Sequence, residues 1–333
     1  MFRICVVGCG NMARSGHGPA FAKYKKDYED VCLAACCDLD PARAESFRDT
    51  FGFERCYTDF REMLLTEKPD AVSLLSPVDL TCPLSVEIMK MGFHIIMEKP
   101  PGKNRAEIES MIAQAEASGV HVRTAFNRRY MPLILDLKKR LAETGEPIIS
   151  ITCQMYRYHR FEKDFSTTAI HAVDVVKHIA GADYKEVSFV YDHHPELGEN
   201  VKNIFMNASF TSGAYAQITF MPTGGSVVER ITVNTLNNTF FVDLPVWNNM
   251  DVPGRLLHVR NDKTLADITG NMLSDNTEMY TLSGFYDENR LFFETIRAGE
   301  PVHCDLESAI QSVEIEDCIR HSLPYYRKEE ESC

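Results

Sequence analysis

The sequence predicts an α/β fold in two parts. A doubly wound parallel sheet is expected over residues 1–125, and an α+β domain with a large, mostly antiparallel sheet over residues 126–333. Three observations predict this. Apolar runs of strand length alternate with helical stretches in the first part, the pattern of repeated βαβ units. Beyond Met131 the pattern turns to paired strands around short turns, with a few long helices. A chain of 333 residues is also long for one hydrophobic core and comfortable for two.

In chain order, Ile4-Cys5-Val6-Val7 reads as a buried strand that bends at Gly8-Cys9-Gly10 into a helix through Asn11, Met12 and Ala13. Val31–Cys37 is a fully apolar strand ending in Asp38. Pro41 opens a helix that stops at Gly52. A short strand near Arg55–Tyr57, a helix from Asp59 and a strand over Ala71–Ser76 follow, the last ending in Pro77. A helix closes at Gly92, and the next strand runs from His94 into Glu98-Lys99-Pro100. Asn104 caps a helix through Ala117, and Val120–Phe126 is the sixth strand. Gly8, Asp38, Ser76, Glu98 and Asn127 thus all fall at the carboxyl ends of strands, where open parallel sheets bind ligands.

The second part begins with a helix over Met131–Glu143 and a long strand within Pro147–Tyr158. Thr167–Ala180 is helical. Asn203–Phe210 with Ala214–Met221, and Ile231–Thr235 with Thr239–Val242, read as hairpins around Thr211-Ser212-Gly213 and Leu236-Asn237-Asn238. Residues 245–283 show no assignable period. Gly284–Arg297 and Asp305–His321 are closing helices, the second expected to pack back on the first domain. The charged tail Arg327–Cys333 is expected to fray.

A formal net charge of −13 argues against nucleic acid or an anionic membrane as the main partner. No apolar run approaches the ~18 residues of a membrane span, and the run before Gly8 is too short for a signal peptide core. A cytoplasmic location is the expectation. The eleven cysteines sit mostly in apolar runs and form no CxxC pair, so they read as buried thiols in a reducing compartment. His193-His194 lack a third ligand at a recognisable spacing, and no metal site is expected.

Gly8-x-Gly10-x-x-Ala13 has the spacing of a dinucleotide fingerprint. Gly8 allows the tight turn, Gly10 the approach of a pyrophosphate, and Ala13 close packing of helix on strand. Backbone N–H groups of Cys9, Asn11 and Met12 lie at the helix start, where phosphates bind. Asp38 can accept both ribose hydroxyls of NAD and repel the 2′-phosphate of NADP, although an aspartate of the Asp38-Leu39-Asp40-Pro41 turn has the same sequence. Lys99 is placed at the ligand edge, where burial and an oxidised nicotinamide would favour its neutral form and fit it for proton exchange. A surface Lys-Pro turn is the blander alternative. Thr167, His171, Asp174 and His178 share one helical face, on which Asp174 could orient His171. A polar helix face at an interface would show the same spacing. Tyr156, Arg157 and Tyr158 end a strand with donors suited to a polyhydroxylated or anionic substrate, or form a surface edge.

Together, Gly8-x-Gly10 with Asp38, Glu98-Lys99-Pro100, the helix around His171 and Asp174, Asn127-Arg128-Arg129-Tyr130-x-Pro132 and the closing Gly284-Phe285 helix resemble the Gfo/Idh/MocA oxidoreductase family over nearly the whole chain. The resemblance implies an N-terminal Rossmann domain that binds NAD rather than NADP. It implies that Lys99 contacts nicotinamide and substrate, with a cis bond to Pro100. It makes His171 the substrate-facing histidine and sets Ser76 and Pro77 beside the cofactor path. Two departures stand out. The family's Asp-x-Gly-x-His-x-x-Asp reads Thr167-Thr168-Ala169-Ile170-His171-Ala172-Val173-Asp174, so a threonine that cannot act as a base replaces the first carboxylate. The family's Thr-Pro-Asn-x-x-His reads Ser76-Pro77-Val78-Asp79-Leu80-Thr81. Proton transfer then falls to Lys99 and His171. The expectation is an NAD(H)-dependent oxidoreductase of a sugar, cyclitol or related polyol, forming a homo-oligomer through its C-terminal sheet. A redox-neutral enzyme that retains NAD and a non-catalytic NAD-binding regulator are the alternatives.

Overall fold

A computed structural model describes residues 1–328, and every count below is of those residues. The chain divides into two compact units. The first comprises Met1–Asn127 with Gly284–Val313, and the second Arg128–Ser283 with the residues from Glu314 onward. The break expected after residue 125 thus falls after Asn127, and a distant segment returns to the first unit. Residues 329–333 of the tail expected to fray lie outside the described residues.

The first unit is built on β1 (Phe2–Val7), followed by a π-helical turn (Ala13–His17) and α1 (Gly18–Asp27). Then come β2 (Val31–Cys37), α2 (Pro41–Phe51), β3 (Arg55–Tyr57), α3 (Phe60–Glu67) and β4 (Ala71–Leu74). α4 (Val78–Lys90), β5 (His94–Glu98), α5 (Arg105–Ser118) and β6 (Val122–Ala125) complete the alternation. The six strands are parallel in the order β3-β2-β1-β4-β5-β6, the doubly wound arrangement. Helices cover both faces of such a sheet, so its strands read as continuous apolar runs, and all seven residues of β2 are buried. Side chains of Asp40, Asp59 and Asn104 accept N–H groups at the starts of α2, α3 and α5.

The second unit contains α6 (Pro132–Thr144), β7 (Ser150–Tyr158), α7 (Ser166–Ala180), β8 (Tyr184–His193), β9 (Lys202–Phe210) and β10 (Tyr215–Gly224). It continues through β11 (Val228–Asn234), β12 (Asn238–Asp243), β13 (Arg255–Arg260), β14 (Lys263–Thr269) and the short α8 (Met279–Leu282). After α9 (Phe285–Arg297) and α10 (Leu306–Arg320), β15 (Tyr325–Arg327) joins the sheet edge. The nine strands run in the order β14-β13-β12-β11-β7-β10-β9-β8-β15. Every pairing is antiparallel except β7 with β10. The unassigned stretch 245–283 therefore supplies two strands, and Arg327 ends a strand instead of a frayed tail. α6 and α7 bury Leu133, Leu137, Ala169, Val173 and Val176 in one core with the inward residues of the sheet.

α9 lies wholly within the first unit, and α10 is divided between the two. The sequence points only to the second closing helix as one that returns to the first domain, whereas the first unit holds all of α9 and residues 306–313 of α10. Phe293 of α9 meets Phe2, Phe21 and Tyr24 at ring distances of 5.8, 6.1 and 5.2 Å. The segment after α9 covers the edge strand β6: the Val122 N–H donates to the His303 carbonyl, and the Thr124 N–H to Asp305 Oδ1.

Candidate functional site

The glycine turn of the first unit is shaped by its neighbours. Gly8 has φ of +99°, and a Cβ there would collide with the Leu75 carbonyl oxygen. Its N–H donates to the Cys37 carbonyl at 2.8 Å. Gly10 differs: a Cβ there would meet nothing within 4 Å. The protein itself leaves the space over Gly10 open, which fits a pyrophosphate. Ala13 is buried as expected, whereas Asn11 and Met12 reach solvent. The segment that follows is a π-turn and not the regular helix the sequence predicts.

Asp38 stands directly after β2. Its Oδ2 accepts the Cys9 N–H at 2.9 Å, and its Oδ1 accepts the Asp40 N–H at 3.0 Å. Its carboxylate is thereby fixed beside the glycine turn. Arg43, in the first turn of α2, brings Nη1 to 3.5 Å from Oδ1. The sequence offers no arginine directly after Asp38, and the one that arrives is five residues on. Cys9 is buried and donates its thiol to the Cys37 carbonyl, which leaves its backbone and not its sulfur at the turn. Ser76 Oγ lies 3.2 Å from Thr81 Oγ1, and Thr81 donates to the Pro77 carbonyl, so this turn is closed by hydroxyls.

Glu98 ends β5 and is buried. Its Oε1 is 2.9 Å from His17 Nε2, and its Oε2 accepts the Lys99 N–H at 3.1 Å. Burial alone would raise the Glu98 pKa, but the hydrogen bond with His17, together with the Lys99 charge and N–H, holds it below the usual value. Lys99 is half-buried, and its bond to Pro100 is cis. Asn127 is buried at the end of the unit.

In the second unit, α7 carries Thr167, His171, Asp174 and His178. Asp174 is buried and takes Arg129 bidentately, with Nε at 2.8 Å and Nη2 at 2.5 Å. Arg129 is a partner that the His171–Asp174 expectation does not name. Thr167 donates its hydroxyl to the Asp164 carbonyl at 3.3 Å. Burial, then Lys138 and Arg129, lowers the His178 pKa to about 4, which makes its ring neutral at pH 7. Lys138 donates to its carbonyl at 2.7 Å.

Strand alternation separates the three expected substrate residues of β7. Arg157 points with Ile151, Cys153 and Met155 into the helix-covered face, whereas Tyr156 and Tyr158 take the opposite face. The tyrosines and Arg157 thus lie on opposite faces of the strand end. Arg157 and Arg128 share the Glu229 carboxylate, all three side chains being buried. Burial would raise the Glu229 pKa, yet the two guanidiniums bring it down to about 2. Arg128 falls in the Asn127-Arg128-Arg129-Tyr130 stretch, but Glu229 lies 101 positions away, so no local pattern marks the pair.

The ten described cysteines are free thiols, most of them buried. His194 pairs with Asp192 and Glu196 at the end of β8. Among the described residues no helix is long and apolar enough to cross a membrane.

Residues 2–126 match the sequence model of an oxidoreductase family with an NAD-binding Rossmann fold. Over 229 residues the chain is 27% identical to the myo-inositol 2-dehydrogenase of Thermotoga maritima, covering 65% of this chain and 67% of that protein. Over 145 residues it is 33% identical to the scyllo-inositol 2-dehydrogenase (NADP(+)) of Bacillus subtilis, covering 44% and 43%. The second match thus spans under half of that relative's length. A solved levoglucosan dehydrogenase, in complex with NADH and levoglucosan, superposes with a TM-score of 0.82 over 98% of this chain and 99% of that one, at 17% identity, and so shares the fold. With the fingerprint turn after β1, Asp38 after β2 and Glu98-Lys99-Pro100 at the end of β5, residues 2–126 form the NAD-binding Rossmann domain of the Gfo/Idh/MocA oxidoreductases.

Proposed function

We propose that the chain is a cytoplasmic NAD(H)-dependent dehydrogenase that acts on a CH–OH group of a sugar, cyclitol or related polyol. One observation carries the reading. The open space over Gly10, the fixed carboxylate of Asp38 and the half-buried Lys99 all lie at the carboxyl ends of one parallel sheet. The inositol dehydrogenases among its relatives support the substrate class. Bound NAD would supply a hydride acceptor at nicotinamide C4. Gly8, Cys9, Gly10, Asn11 and Met12 would hold its pyrophosphate, Asp38 its adenine ribose, and Ser76, Pro77, Glu98 and Asn127 the path to nicotinamide. Lys99 would bind the substrate hydroxyl and take its proton, with His171 holding a substrate oxygen. Thr167 contributes a hydrogen bond and no proton. Arg157 and Asp174, also candidates to bind substrate, are each held in a buried ion pair, with Glu229 and Arg129 respectively.

The test incubates the protein with NAD or NADP and a panel of inositols and sugars, following NADH or NADPH absorbance. Steady NADH formation is expected, with NAD preferred over NADP. Lys99→Ala should lose at least about 100-fold in kcat, the loss of a positioned general base, while NAD affinity stays within about threefold. Product without net NADH would support the redox-neutral reading. NAD binding with no turnover on any substrate would support a regulator. Equal affinity for NADP and NAD would overturn the role given to Asp38.

A further inference from the structure

The glycine-turn helix presents one side chain to the Glu98-Lys99-Pro100 turn, and no motif marks it. His17 ends the π-helical segment and is fully buried. Both ring nitrogens have partners. Nε2 lies 2.9 Å from Glu98 Oε1, and Nδ1 lies 3.0 Å from Asn289 Nδ2. Asn289 sets the proton. Its Nδ2 also donates to the Phe285 carbonyl at 2.8 Å, one helical turn earlier in α9. Turning the amide over would set Oδ1 against that carbonyl, two acceptors face to face. Nδ2 therefore faces His17, Nδ1 accepts from it, and Nε2–H donates to Glu98. The other Glu98 oxygen accepts the Lys99 N–H. A continuous path runs from Asn289 through His17 and Glu98 to the Lys99 backbone, and all its side chains are buried.

The local fold holds this geometry from two sides. The Phe285 ring packs edge-on against His17 at 5.2 Å. It fits there because residue 16 is glycine: a Cβ would lie 2.7 Å from that ring. The π-turn carries one residue more than an α-turn, and one residue's rotation, about 100°, decides which side chain meets Glu98. Buried hydrogen bonds of this kind are strong, and an unpaired buried carboxylate is costly.

We propose that His17 is a positioning residue that holds Lys99 in register with the helix receiving the dinucleotide pyrophosphate. The inference rests on the proton-transfer role proposed for Lys99. Three variants separate positioning from packing. The amide nitrogen of His17→Gln reaches where imidazole Nε2 sits and keeps the bond to Glu98. That of His17→Asn reaches where Nδ1 sits and does not. His17→Leu removes both bonds and keeps the bulk. With the best polyol of the panel, kcat of His17→Leu and His17→Asn should fall at least about tenfold, since small misplacements of a reacting group cost up to ~100-fold. NAD affinity should stay within about threefold, and His17→Gln should recover kcat to within about threefold of the starting chain.

A second readout needs no turnover. Trace acetic anhydride is applied to the folded protein with NAD, and mass spectrometry gives the acetylation of Lys99 relative to exposed Lys139. The ratio should shift at least about threefold in His17→Leu, in step with altered amine placement, and return in His17→Gln. An unchanged ratio in His17→Leu overturns the proposal. So does a loss of NAD affinity that matches the loss of kcat and is shared by His17→Gln, because that is a packing defect. If Lys99→Ala keeps its turnover while the ratio still follows His17, the proton-transfer reading falls and the hold of His17 on Lys99 stands.

Discussion

At the residue scale, the buried trio of Arg128, Glu229 and Arg157 shows what sequence alone conveys and what it omits. Arg157 is legible as a candidate from its place among donors at a strand end. Its direction follows only once the register of β7 is known, and Glu229 only once β11 pairs with β7. The trio sets a pH dependence. Glu229 is lowered from 4.5 to about 2, so its contribution is complete above about pH 4.5 and is lost as pH falls toward 2. A shift of that size corresponds to about 3 kcal/mol at neutral pH. Glu229→Gln leaves two buried guanidiniums without their counter-charge and should destabilise the second unit by about 3 kcal/mol at pH 7. Urea unfolding measures this, and the gap to the unaltered chain should narrow below about pH 4 as Glu229 protonates. A gap under about 1 kcal/mol at pH 7 would contradict the assignment.

At the element scale, the first unit is legible almost strand by strand, because each buried parallel strand is a continuous apolar run bounded by turn residues. β13 and β14 were not, and their position explains it. β14 is an edge strand exposed along most of its length, so it shows no apolar alternation, and β13 beside it is only partly covered. The π-turn was not legible either, since its register depends on which side chains it must meet far along the chain. Gly10 and Gly16 turn this into a paired prediction. Gly10→Ala places a Cβ in open space, so urea stability should stay within about 0.5 kcal/mol, the usual range for a change that touches nothing. NAD affinity should fall at least about tenfold, because the pyrophosphate is to occupy that space. Gly16→Ala drives a Cβ into the Phe285 ring, and such overpacking costs about 1–3 kcal/mol, offset in part by the ~1 kcal/mol helix preference of alanine. It should lower stability, and through His17 lower kcat as well. Equal behaviour of the two variants in both measurements would remove the distinction between a ligand-facing and a packing glycine.

At the scale of the whole molecule, the sequence shows a change of pattern after residue 125 but carries no sign that α9 groups with the first unit. That grouping is decided by long-range contacts, such as those of Phe293 with Phe2 and Tyr24. The sheet of the second unit leads to the last prediction. One of its faces is packed beneath α6 and α7. Along the other face, alternate positions leave Val190, Phe205, Tyr215, Phe241 and Leu265 exposed on five different strands. Phe205 sits opposite Val190 and Thr219, and Phe241 opposite Thr232 and Leu257, so cross-strand register places these side chains on one side. These large side chains stand among smaller polar ones such as Ser209, Thr219 and Thr232, and apolar groups spread over one sheet face suit contact with another protein surface. A second copy of the chain is the occupant expected there, in a self-complementary contact of the kind that builds closed homo-oligomers. Light scattering coupled to size exclusion should give a mass of two or more chains at micromolar concentration. Tyr215→Asp with Phe241→Asp should shift it to that of one chain, because a buried unpaired carboxylate at each position is strongly unfavourable. A single-chain mass for the unaltered protein, or an oligomer that survives both aspartates, would move the interface away from this face.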